Sequence, residues 1–149
     1  MRKRGAQHSR VRGHILTPQQ VQKLVTPIHV ALELLPLGLY TEAHAHDLAA
    51  FLTIAQVAAK EAGRDDIVKA GAAGADVLIA MKNRAKAGKS WNVTVDERDA
   101  LLRSITALDQ WQRTQTTTRW ARAMHKVIAM CERAEASGAQ PFDLMVEAA

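Results

Sequence analysis

Two histidines and two acids fall within six residues in TEAHAHDL, positions 41–48, side chains that could together hold a divalent metal. Helical spacing argues against it. His44 and His46 are two apart, about 200° around a helix, so they cannot grip one ion together. Glu42 with His46, and His44 with Asp47, fall at i,i+4 and i,i+3 and can pair, but each pair supplies only two ligands. Zinc takes four, and Cys131 is the only thiol in the chain. The segment is read as polar helix surface, with no metal site. AGKS at 87–90 resembles the end of a phosphate-binding loop. That motif requires glycine at position 83, where the chain has Asn83, and a preceding strand that the helical pattern here denies. No GxSxG elbow, HExxH pair or paired buried carboxylates occur, so the chain is read as non-enzymatic, with no catalytic residue and no cofactor.

What remains is charge. The chain carries 20 Lys plus Arg against 15 Asp plus Glu, a formal +5. Arg2, Lys3, Arg4, Arg10 and Arg12 lie in the opening MRKRGAQHSRVRGH, and the first acid is Glu33. Residues 17–149 therefore sum to zero, and the basic character belongs to a short arm. A neutral body with a cationic arm is a layout suited to polyanions. The arm has three readings: contact with nucleic acid, contact with an acidic protein surface, or a solvated tail. Two further cationic stretches contain no acid. One is Lys82, Arg84, Lys86 and Lys89, leading to Trp91; the other is Arg113, Arg119, Arg122 and Lys126. The last three are spaced i, i+3, i+7 on one helix face. If these stretches share a side with the arm, they form a surface that tracks phosphates without reading bases.

A helix-turn-helix fails on register. With Gly63 as the turn glycine, the position six later, normally apolar, is Lys69, and Asp65 and Asp66 would open the recognition helix against phosphate. Trp91, Trp111 and Trp120 are assigned to core or interface rather than to a base-stacking platform.

The elements that position these residues are helical. At 48% hydrophobic and 4% aromatic, the chain is too apolar for disorder and too poor in aromatics to favour a sheet. Thr17-Pro18 opens a helix over 18–35 whose inward face is Val21, Leu24, Val25, Ile28, Leu32 and Leu35, with a kink expected at Pro27. A second helix is expected over 41–62, ended by Gly63. A third, capped by Asp65 or Asp66, runs to 87, and its Gly71 and Gly74 present a nearly bare face for close helix packing. Thr94 and Glu97 form a capping box at the start of a fourth. Its apolar stripe of Leu101, Leu102, Ile105 and Leu108 is out of phase by one residue with the following stripe of Trp120, Met124, Val127, Cys131 and Ala134. The slip places a break at the β-branched run Thr116-Thr117-Thr118. Gly138 and Pro141 end the fifth helix. Phe142, Leu144, Met145 and Val146 follow, and are expected to dock on the body. The expected fold is an all-α, single-domain bundle of four to five helices: arm 1–16, bundle 17–137, tail 138–149.

The lone cysteine rules out an internal disulfide framework and points to a cytoplasmic protein. No apolar segment follows the arm as a secretory signal would require, and the run at 70–81 is too short to span a bilayer and contains Asp76, so no membrane contact is expected. The succession of a basic arm, LTP opening the first helix, KSW before a capped helix and ALDQWQ before the last helix resembles a family of short uncharacterised proteins of proteobacterial phages, prophages and mobile elements. The family's stretch at ALDQWQ reads more like a His-Asp pair followed by Gln-Leu, so Leu108 and Trp111 depart from it. The resemblance implies a setting where small basic helical proteins serve as regulators, nucleic-acid binders or inhibitors of host proteins. It assigns no functional residue. The primary reading is a helical protein whose arm contacts nucleic acid or a nucleoprotein. The second is a protein-interaction module, possible as a homodimer, using the glycine face or a tryptophan.

Overall fold

The computed structural model describes residues 15–139. They form an all-α bundle: α1 (Pro18–Leu34), α2 (Glu42–Glu61), α3 (Asp65–Lys86), α4 (Val95–Gln112) and α5 (Thr117–Ser137). Short connections force each helix antiparallel to the one before it. One end of the bundle therefore carries the starts of α1, α3 and α5 and the ends of α2 and α4. The other end carries the reverse set.

Local chemistry sets the boundaries. The Thr17 hydroxyl accepts from the Gln20 N–H at 3.2 Å, and the Gln20 side chain accepts in return from the Thr17 N–H at 2.9 Å. Thr94 and Glu97 make the same reciprocal pair at 3.2 and 3.0 Å. Each satisfies two donors that a helix start leaves without partners. At the end of α2, Gly63 takes the left-handed φ of +70°, and the N–H groups of Gly63 and Arg64 donate to the carbonyls of Lys60 and Ala59. Two such bonds close the helix, and the positive φ favours glycine.

Two boundaries differ from expectation. The break between α4 and α5 lies at 113–116, meeting the threonine run only at Thr116, which starts the next helix by accepting from the Arg119 N–H at 3.2 Å. Its capping oxygen outweighs its poor helix propensity. Neither Asp65 nor Asp66 caps α3, because Arg64 occupies the N-cap and both acids sit in the first turn. There they still suit the helix dipole. As expected, α1 runs through Pro27, where the exposed ring deletes one backbone donor without ending the helix.

α2 is the hub, packing against α1, α3, α4 and α5. Leu48, Leu52, Leu78, Met81, Leu101, Ile105 and Leu108 are all nearly sealed from solvent, each contributing about 1.5–3 kcal/mol over an exposed position. The bare face of α3 is used as its glycines imply. A Cβ on Gly74 would lie 2.5 Å from Ser104 Oγ and 3.2 Å from Leu52, and one on Gly71 would collide with Gln56. Ser104 Oγ donates to the Ala70 carbonyl at 2.5 Å, tying α4 to α3. Trp120 packs on Phe51 with ring centroids 6.2 Å apart. α1 and α5 flank α2 without packing closely on each other. No helix among the described residues is long and apolar enough to cross a membrane.

Candidate nucleic-acid interface

Arg2, Lys3, Arg4, Arg10 and Arg12 lie outside the described residues, as do Phe142, Leu144, Met145 and Val146. The root of the arm does not. Ile15 forms an isolated antiparallel bridge with Thr116, and the Leu16 N–H donates to the Gln115 carbonyl at 3.1 Å. Leu16 is itself buried. The arm therefore joins the body at the turn that starts α5, held by a backbone bond and an apolar anchor.

Around that root the cations divide by partner. Arg113 binds Asp109 at 3.0 Å. Arg122 binds Glu61 of α2, and Lys126 reaches the other oxygen of the same carboxylate at 4.0 Å. Arg64 clasps Asp66 through two bonds of 2.9 and 2.8 Å, and that hydrogen-bonded guanidinium holds the Asp66 carboxyl down to about 2. Arg119 differs. Its guanidinium donates to the neutral Gln115 Oε1 at 2.7 Å, with no carboxylate among the described residues within ion-pair distance. Among the described residues it has no acid partner, and it lies one turn from the arm root.

The second cationic stretch is built differently. Lys82 is only 9% exposed. Arg84 grips both Glu97 oxygens, at 2.8 and 2.6 Å, and donates to the Asn92 carbonyl at 2.7 Å. Hydrogen bonding from Arg84 holds the Glu97 carboxyl below the usual range against the opposing effect of burial. Arg84 thereby locks the α4 capping box. Lys86 and Lys89 remain exposed, but at the other end of α4, whose 18 residues span about 27 Å. The structure thus joins the 113–126 stretch to the arm root and separates the 82–89 stretch from it. The two do not form one surface.

The histidine-rich segment serves the start of α2. His44 Nδ1 accepts from the Thr41 N–H at 3.0 Å, and its ring packs against Tyr40 with centroids 5.6 Å apart. His46 lies 3.8 Å from Glu42, the i,i+4 pair the spacing allows. No group of three metal-ligating side chains occurs among the described residues. Burial, with Asp47 nearby adding to it, pushes the Tyr40 hydroxyl far above its ordinary value.

Comparison with family models, with curated proteins and with solved structures finds no match.

A feature not anticipated from sequence lies beside the arm root. Because α1 and α5 do not close on each other, an apolar cleft of about 360 Å³ opens between them, walled by Leu16 and Leu24 on one side and by Trp120, Met124 and Ile128 on the other, with Lys23 and His125 at its rim. A second cleft, between α2 and α5, is lined by Ile54, Cys131, Glu132 and Glu135. Met124 and Ile128 are common to both clefts. The signal was present in α5, where Ala121 and Ile128 widen the apolar stripe beyond what one packing contact needs. Burial, then Glu135 and Glu132, raise the Cys131 thiol above its ordinary value. The surfaces named for protein interaction are used internally: Gly71 and Gly74 face Gln56 and Ser104, Trp111 and Trp120 are buried, and Trp91 packs on Tyr40.

Proposed function

We propose that the protein is a non-enzymatic, cytoplasmic nucleic-acid-binding protein of phage or mobile-element type, which contacts phosphate backbone through its arm and the bundle end that anchors it. One observation carries the reading: an arm of five cations and no acid is anchored by Leu16 beside Arg119, a guanidinium with no acid partner among the described residues. Phosphates following the arm to its root meet that guanidinium next. Phosphate contact supplies affinity and salt dependence but little sequence readout, and the low aromatic content offers no base-stacking platform.

The experiment is a binding titration on duplex DNA and on single-stranded RNA with two variants of the full chain. Arg119→Gln is expected to weaken binding about three- to tenfold and to flatten the salt dependence by roughly one phosphate contact. Lys86→Gln with Lys89→Gln, at the opposite end of α4, is expected to change it less than about twofold. The reverse ranking contradicts this placement of the interface. Salt-insensitive binding to a protein through an apolar interface, with none to nucleic acid, favours the interaction-module reading.

A further inference from the structure

We infer that the cleft between α1 and α5 binds an amphipathic carboxylate, such as a medium-chain fatty acid, whose alkyl chain lies along Leu24, Met124 and Ile128 and whose charged head meets Lys23 and His125. The inference stands on the cleft alone and is independent of nucleic-acid binding. At about 360 Å³ the cleft falls within the range of roughly 300–1,000 Å³ typical of small-molecule sites, which join apolar walls to a few polar groups. Its walls are aliphatic and aromatic, and no acid lines it among the described residues. Lys23 and His125 are exposed at its rim, and neither has an acid partner among the described residues. The lysine stem can cover apolar surface while its ammonium stays at the water edge. That combination suits a ligand with one apolar end and one anionic end.

Two further observations select the anion. The wall residue Trp120 is 3% exposed, and its indole N–H is buried with no acceptor among the described residues. Buried donors without acceptors are rare and costly, and a carboxylate in the cleft brings oxygen to the residue that lacks it. The second observation is the contrast with the cleft between α2 and α5, which shares Met124 and Ile128 but is lined by Asp47, Glu132 and Glu135. Those acids repel a carboxylate, so the head stays at the Lys23 end and the chain points toward Ile128. A neutral apolar ligand leaves the Lys23 and Trp120 donors unused, and a cationic one fits the acid-lined cleft instead.

The probes are octanoate, decanoate and 1-octanol, held below their aggregation concentrations and titrated into the native full chain. Calorimetry reads affinity, and NMR reads the indole N–H resonances. One saturable site is expected, with decanoate bound about tenfold more tightly than octanoate because two more methylenes are buried. The Trp120 resonance is expected to move, while that of Trp91, packed on Tyr40 at the far end of the bundle, stays in place. Lys23→Gln is expected to weaken octanoate about three- to tenfold and 1-octanol less than about twofold. Ala121→Phe fills the cleft and is expected to weaken all three probes by about tenfold or more. Lys23 and Ala121 are both exposed, so the variants keep the fold. Absence of decanoate binding at about 1 mM overturns the proposal, as does equal weakening of octanoate and 1-octanol by Lys23→Gln, or unchanged binding in Ala121→Phe. Affinity that falls as protein concentration rises marks a second copy in the cleft and overturns it too.

Discussion

α2 has two unlike neighbourhoods. Toward α3 and α4 it is closed: glycines bring the backbones together, Ser104 bonds across to Ala70, and Arg84 is bound by Glu97 on both oxygens. Toward α1 and α5 it is open, with a cleft lined by Met124 and Ile128 and an arginine beside the arm root that has no acid partner among the described residues. The contrast shows how little a run of like charge in sequence says about charge in space. Both cationic stretches lack internal acids, yet Glu97, thirteen residues from Arg84, and Glu61, sixty-one from Arg122, neutralise parts of each. Structural work absorbs cations on the closed side, and the open side retains Arg119.

The contrast can be broken by overfilling the closed side. Gly74→Val places side-chain atoms where Ser104 and Leu52 already stand and is expected to cost about 3 kcal/mol. Ala121→Val on the open side should fall within about 0.5 kcal/mol. Urea unfolding of both variants measures the difference. Equal costs would mean that the glycine face is not tightly closed.

A smaller effect separates the ion pairs. Arg84→Ala removes a two-pronged pair whose side chains are 30% and 22% exposed, together with the brace on the α4 cap, and is expected to cost about 1–2 kcal/mol. Arg113→Ala, at an exposed i,i+4 pair, should cost about 0.3–0.5 kcal/mol. The first cost depends on pH. Glu97 has its folded carboxyl depressed by Arg84, so its contribution is present above the ordinary carboxylate value of about 4.3 and fades as pH falls through the lower folded value. The gap between the parent chain and Glu97→Gln is therefore expected to narrow on acidification. A gap that widens contradicts the pairing. Smallest of all, Arg64→Gln should return the Asp66 carboxyl upward from about 2, visible by NMR titration without a marked change in stability.

Features decided within a few residues were legible in the sequence. The Thr94 and Glu97 box, the Thr17-Pro18 start and the Gly63 stop each depend on neighbours a turn away, and the structure places each where the pattern does. The phase slip between Leu108 and Trp120 located a break, but β-branching pointed to Thr116-Thr117-Thr118, whereas hydrogen bonding makes Thr116 the first cap of α5. The His44 spacing was legible, while its use as an acceptor for the Thr41 N–H needed coordinates. The cleft was hidden because the periodicity of α1 and α5 marks Leu24, Met124 and Cys131 as inward, and cannot say that the two helices stay apart. The Ile15 and Thr116 bridge was hidden too, since it joins residues a hundred positions apart through the backbone alone.

The central claim is that the arm and its anchored root bind nucleic acid through phosphate. The most direct test compares the full chain with one in which Arg2, Lys3, Arg4, Arg10 and Arg12 are all glutamine, by fluorescence anisotropy on duplex DNA at two salt concentrations. Five phosphate contacts predict that the unaltered chain loses about 10²- to 10³-fold in affinity between about 50 and 200 mM salt, and that the glutamine chain binds weakly with a shallow salt slope. Equal binding by both chains, or binding by neither, contradicts the account.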